Sequence, residues 1–314
     1  ARQLRHATVL GQAAQVRRAA ATLGQGDVAE PQRQVQAAYD AVLKALGDSA
    51  ADPSLKEATE QLRSRHAALA SQLRAADPDQ TFDAHSEYID GALALLGGVA
   101  NQSGLALDPG LETYHLMNYS VLRAPVQFER TDRVHTVGQL ALVSQQLTPQ
   151  RRQRITDALA LWKFIDDEVE ASYLTGTRQD PAIETQLDMK GLDDVVDRYR
   201  QAVTSQLMGD ALGGDAAALA ALGTQAVQRQ IKLNEGVLNL LDDQLKARID
   251  GLQVRLAWQL TMAAGFVALA AYLMLAFYRV MSGGLREVDA HLSAIADGNL
   301  TTAPQPWGRD EAAQ

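Results

Sequence analysis

The chain has 314 residues and no cysteine, and 29 Lys+Arg against 38 Asp+Glu give a formal net charge of −9 at pH 7. This excludes disulfide scaffolds, cysteine-ligated metal centres and thiol catalysis, and the acidic balance lacks the basic footprint of a nucleic-acid binder. Hydrophobic residues make up 46% but aromatic ones only 5%, an alanine- and leucine-weighted mixture that favours packed helices over sheets.

Ala1 is followed by Arg2-Gln3-Leu4-Arg5 and a helical Ala/Gln/Leu pattern, with neither an initiator methionine nor a signal-like apolar core. The expectation is a chain cut from a longer one. Punctuation then divides the first 255 residues into helices, because Pro and Gly clusters fall between stretches with three- and four-residue apolar spacing. Asp52-Pro53 supplies an N-cap with proline at the first helical position, and Leu55, Ala58, Leu62, Leu69 and Leu73 follow on one face. Asp77-Pro78 ends that helix. Asp108-Pro109, Thr148-Pro149 and Asp180-Pro181 repeat the device, and Gly213-Gly214-Asp215 breaks the chain before a last helix. The fold expected is all-α, an elongated up-and-down helical bundle over 1–255, either single or two bundles stacked near Asp77 to Phe82.

After Asp108, Tyr114, Asn118 and Arg123 fall near one another at helical spacing and could clamp a carboxylate between a guanidinium, a phenol and a carboxamide. The plainer alternative buries Tyr114 and leaves Arg123 in solvent. Pro125, lacking an N–H, should kink the turn before it. Arg151, Arg152 and Arg154 occupy a helix's first turn, where the macrodipole disfavours cations unless an anion sits among them; a solvated charge run is the plainer reading. Trp162 and Phe164 read as packing. Asp166-Asp167-Glu168 with Glu170 lacks the glycine and further oxygen ligands of a calcium loop, and no histidine pairs at helical spacing for zinc, so no metal or cofactor is expected. Neither a phosphate loop, a nucleophile elbow nor a kinase signature occurs, and the chain is not read as an enzyme.

The last helix places Leu233, Val237, Leu240, Leu241, Leu245, Ile249 and Leu252 on its buried side, and nothing interrupts it before Leu256. From Leu256 to Tyr278 the chain is apolar and uncharged, about 34 Å at ~1.5 Å per residue, enough to cross a bilayer core. Arg255 and Arg279 close its ends, and Trp258, Tyr272 and Tyr278 supply interfacial rings. Lys246, Arg248 and Arg255 on one side roughly balance Arg279 and Arg286 on the other, so charge alone does not orient it. Leu285, Val288, Leu292 and Ile295 then alternate at three- and four-residue spacing, the seam of a parallel coiled coil.

Transmembrane helix, short amphipathic helix, Asp297-Gly298-Asn299-Leu300, a connector with Pro304 and Pro306, and Gly308-Arg309-Asp310-Glu311 follow in order. This order resembles the HAMP signalling module, and Gly-Arg-Asp-Glu before Ala312-Ala313-Gln314 is most similar to methyl-accepting chemotaxis proteins. The chain departs from many such modules at Ser282-Gly283-Gly284, where a proline is common. A further stretch, Leu107 to Asn118, resembles a D-P-x-x-x-[ST]-Y-x-L-M-[DN] segment of helical sensor regions in such receptors. The resemblance implies an extracytoplasmic sensor over 1–255, a transmembrane helix over 256–278 and a truncated HAMP module over 279–314. Gly298 and Leu300 would mark its connector, and Asp310 and Glu311 the start of its second helix.

It further implies the bacterial inner membrane and a parallel homodimer. A small-molecule ligand or binding protein would act outside, and a cytoplasmic histidine kinase with its coupling protein would be reached through a part beyond Gln314. The same input region could serve a histidine kinase or nucleotide cyclase. A membrane-anchored helical adhesion or structural protein is the remaining alternative.

Overall fold

Apolar residues at three- and four-residue spacing become helices along the chain. The computed structural model describes residues 2–24, 27–71, 77–107, 109–177, 187–209 and 212–301, among which there is no strand. The α-helices are α1 (Arg2–Leu23), α2 (Ala29–Leu46), α3 (Pro53–Ser71), α4 (Pro78–Gln102), α5 (Leu111–Met117), α6 (Ala124–Ser144), α7 (Pro149–Thr177), α8 (Met189–Leu207) and α9 (Ala216–Ala296).

Capping sets several of these starts. Asp52 Oδ1 accepts the Ser54 N–H at 2.9 Å, Asp77 Oδ1 that of Asp79 at 3.0 Å, and Thr148 Oγ1 that of Arg151 at 3.2 Å. Asp215 Oδ1 accepts the Ala217 N–H at 2.8 Å. Each satisfies a donor that the first helical turn would otherwise orphan. Asp108 and the Asp180-Pro181 pair lie outside the described residues, as does Leu73. Helix α5 starts only at Leu111, with Gly110 in the cap position, later than a cap at Asp108-Pro109 would place it.

The chain divides into two compact units, residues 1–245 and 246–314. In the first, a helical bundle, α1 packs on α2, α4 and α6, α3 on α4, and α6 on α7 and α8. Its core is mostly aliphatic, drawing on Leu10, Val35, Leu55, Ile89, Leu96, Val134 and Val203, with Trp162 the largest fully buried side chain. Phe164 is not part of it: the ring is exposed, against the expectation that both aromatics pack.

On α9, Leu233, Val237 and Leu241 are buried and Leu240 and Leu245 pack against the core. Ile249 and Leu252 are exposed, so burial of this face stops a turn or two earlier than the apolar pattern does. Spacing alone extends the stripe, which is why it reads as continuous in the sequence.

In the second unit the helix continues to Ala296. It carries a window of mean hydropathy 2.1, none of which is buried, so by length and composition it can cross a membrane. A core helix of the same composition would be covered by protein. Gly298, at φ 85°, ends the helix. Its N–H reaches Ile295 O at 3.0 Å and the Asn299 N–H reaches Ala294 O at 2.9 Å, the paired bonds of a Schellman cap that a left-handed glycine permits. Asp310 and Glu311 lie outside the described residues.

Candidate functional site

Pro125 shapes the segment that carries the expected ligand residues. Its missing N–H removes one rung of the helical ladder, and the backbone answers with a π-turn over Asn118–Arg123, in which the Ala124 N–H reaches back to Tyr119 O. The expected kink is therefore a widened turn between α5 and α6, a geometry that recurs at functional sites.

The three residues on or beside that turn go to different neighbours. Arg123 Nε lies 3.0 Å from Glu168 Oε2 on α7, and Asn118 Nδ2 donates to Ser172 Oγ at 3.0 Å. Tyr114 is 40% exposed, its ring edge-on to His115 at 5.4 Å. Arg123 thus already has a carboxylate from its own chain, and Tyr114 turns to solvent rather than into the core.

The arginine run at the start of α7 also finds its anions within the chain. Arg151 donates through Nε and Nη2 to Asp79 Oδ2 at 3.1 and 2.8 Å, and through Nη1 to Ser144 Oγ at 2.7 Å. Arg154 reaches Asp79 and, at 2.5 Å, Asp83. Burial works against the Asp79 carboxylate, but the two guanidiniums outweigh it and hold its pKa below the ordinary value. Arg152, between them in sequence, is exposed.

The strongest electrostatic feature is one that sequence reading did not single out. Arg18 on α1 and Glu129 on α6 are both fully buried. Arg18 Nη1 donates to Glu129 Oε1 at 2.6 Å and to Ser86 Oγ at 2.9 Å, and its Nη2 to Asp132 Oδ2 at 2.6 Å. Gln15 and Arg133 complete the shell of Glu129, at 2.9 and 2.7 Å, and Arg133 continues to Asp90 at 2.8 Å. Burial opposes every charge here. Arg18 and Arg133 nevertheless hold Glu129 below its usual pKa, and Glu129 and Asp132 hold Arg18 above its own. The trace in the sequence is Arg17-Arg18 inside an Ala/Gln/Leu helix, a charge pair with no polar face around it.

A second acidic feature lies between α7 and α8. A cavity of about 240 Å³ is lined by Gln127, Asp166, Glu170, Asp193 and Asp197 among others. Gln127 Nε2 and Arg200 Nη2 each donate to Asp166 at 2.5 Å. Partial burial, then the like charges of Asp166, Glu170, Asp197 and Asp194, push Asp193 up to about 6. Among the described residues no group of three His, Asp or Glu side chains converges to hold a metal ion.

No family model matches this chain, and no curated protein or solved structure is significantly similar to it.

Proposed function

We propose that the chain is the input region of a transmembrane signal-transducing receptor, similar to a methyl-accepting chemotaxis protein. The sensor, residues 1–255, lies outside the inner membrane, residues 256–278 cross it, and residues from 279 begin a HAMP-like module. The observation that carries this reading is helix α9. One unbroken helix holds bundle-core residues Leu219, Ala226 and Leu233, then the uncovered apolar stretch, then Leu285, Val288, Leu292 and Ile295.

A continuous helix transmits rotation or displacement without the slack of a loop, and a few kcal/mol of differential affinity suffices to bias two packings, ~1–3 kcal/mol being ordinary. All four seam residues are exposed on the single chain, Leu292 at 59%, an apolar stripe that a second copy in parallel register would cover.

The topology is tested with phosphatase fusions. A fusion at Asp48 should be active and one at Gln314 silent, and the reverse pattern overturns the reading. Leu292→Cys should crosslink to itself across subunits in membranes. Crosslinking at Asp289→Cys with none at Leu292→Cys rejects the seam.

A further inference from the structure

The cavity between α7 and α8 carries a charge that its surroundings do not balance. Asp167 and Glu170 of α7 and Asp193 and Asp197 of α8 line it above a buried apolar base of Val169, Leu192 and Val196. Asp166 and Asp197 share Arg200, at 2.5 and 3.7 Å. Asp167, Glu170 and Asp193 form no ion pair among the described residues, and no described cation lines the cavity. Three unpaired carboxylates around a space of about 240 Å³ repel one another. The effect is visible at Asp193, which partial burial, then Asp166, Glu170, Asp197 and Asp194, hold at about 6.

Two buried neutral groups turn acceptors to the same space. Gln127, 3% exposed, lines the cavity from α6. Its Nε2 is committed to Asp166, while its carboxamide oxygen accepts from no described donor. Tyr119, on the π-turn before Pro125, is 2% exposed, and its hydroxyl makes no hydrogen bond among the described residues. Burial, then Tyr173, then the charges of Asp193 and Asp166 raise its pKa, so the phenol stays neutral and its hydroxyl lies towards the acidic wall. Buried polar atoms without partners are costly, and a ligand's N–H groups would satisfy both.

We propose that this cavity binds a short α,ω-diammonium ion of about four carbons, such as putrescine. The inference rests on the receptor reading above and names the chemical class of its stimulus. One ammonium group, with three donors, is taken by Asp193, the Gln127 oxygen and the Tyr119 hydroxyl. The other is taken by the α7 pair Asp167 and Glu170, and the methylenes between them cover Val169, Leu192 and Val196. Two positive charges leave one of the three carboxylates unmatched, whereas a monoamine leaves two. A hard metal ion fits less well, because it needs six or more oxygens converging at ~2.0–2.6 Å, and no three His, Asp or Glu side chains among the described residues converge in that way. Carboxylates spread along two helices suit an extended dication.

The test uses the whole chain in nanodiscs of zwitterionic lipid at physiological salt, titrated with putrescine by calorimetry. Saturable binding is expected at pH 7, with butylamine weaker by at least ~tenfold. Asp193→Asn should also lose at least ~tenfold, while melting no lower than the parent. In the parent the affinity should fall about tenfold from pH 7 to pH 5, because Asp193 takes up a proton over that range while the diamine keeps both of its own. That fall should largely vanish in Asp193→Asn. Tyr119→Phe removes only the hydroxyl and should weaken binding about two- to tenfold without lowering the melting temperature. Asp48→Asn makes the same charge change away from the cavity and should bind as the parent does.

Absence of saturable putrescine binding overturns the proposal. So does equal affinity for butylamine, the same saturation by Mg²⁺, or an equal loss in Asp48→Asn and Asp193→Asn. These outcomes are independent of the phosphatase fusions. Putrescine binding with reversed topology would keep the site and remove the receptor reading, and correct topology without putrescine binding would do the converse.

Discussion

Glu129→Gln is the sharpest probe of what holds the bundle together. Two carboxylate oxygens accept four donors at 2.6 to 3.0 Å, from Arg18 twice, Gln15 and Arg133, at complete burial. The substitution keeps the shape, but it removes the charge and turns an NH₂ toward donors. Removing one partner of a buried ion pair typically costs about 3–5 kcal/mol, because the other charge is left uncompensated. For a unit of this size each kcal/mol moves the melting temperature by about 2–4 °C, so a drop of roughly 6–20 °C is expected by circular dichroism in nanodiscs. Arg18→Met should cost a similar amount. The double variant Arg18→Met/Glu129→Met should cost less than the sum by about 0.5–3 kcal/mol, since neither charge is then stranded. A loss below about 1 kcal/mol for Glu129→Gln, or strict additivity in the double variant, would refute the account.

Protonation should leave a separate mark. In its native site His85 takes a proton only near pH 4, whereas the unfolded ring does so near 6.5, so stability falls as pH drops through that window by up to ~1.4 kcal/mol per unit. His66 and His135, both held down by burial, act in the same direction, while Asp132 and the largely exposed Asp193, both raised, act against it. Denaturant titrations of parent and His85→Leu against pH separate its contribution: the variant should have the shallower slope, and equal slopes would discount it. Gly223→Ala places a Cβ on the His135 ring of α6, and overpacking of about 1–3 kcal/mol should appear as a lower melting temperature. Gly251→Ala, which meets open space, should be neutral or stabilising. Gly298→Val forces a branched residue to φ 85° and should fray the end of α9 by more than ~1 kcal/mol, read as faster exchange of the Asn299 amide, which bonds Ala294 O in the parent.

Helix existence was legible because the rules that make helices are local. Asp52 and Thr148 are capping residues in sequence and in space, Asp77 and Asp215, read as a helix end and a chain break, turn out to cap the helices that follow, and Pro125 announced a disturbed turn because a missing N–H has no remedy within the helix. The apolar stretch after Arg255 declared itself by length. What was not legible depends on partners distant in sequence. Arg123 reads as a ligand clamp or a solvated cation until α7 brings Glu168 to it, and the Arg151–Arg154 run reads as a solvated charge run or an anion site until α4 supplies Asp79 and Asp83. Nothing local tells that Arg18 enters the core while Arg2 stays outside, because burial of a charge is decided by where Glu129 and Asp132, more than a hundred positions away, come to lie.

The same reasoning locates where a ligand could act on such a bundle. An aliphatic core responds to a guest mainly through volume, whereas the interior between α1, α4 and α6 is held by directional, charged contacts whose strength depends on the local charge balance. Arg18 on α1 ties that helix to Ser86 of α4 and to Glu129 and Asp132 of α6. Near its other end α1 holds α9 through Arg5, which donates to Asn239 at 2.9 Å and approaches Asp242 at 4.0 Å. Helix α1 therefore touches both the buried charged layer and the helix that leaves the bundle, so a change in its packing has a direct physical route to α9. That route makes one demand: Arg5→Ala should change the extent of Leu292→Cys crosslinking in membranes relative to the parent. Unchanged crosslinking would mean that α1 and α9 are not coupled through Arg5.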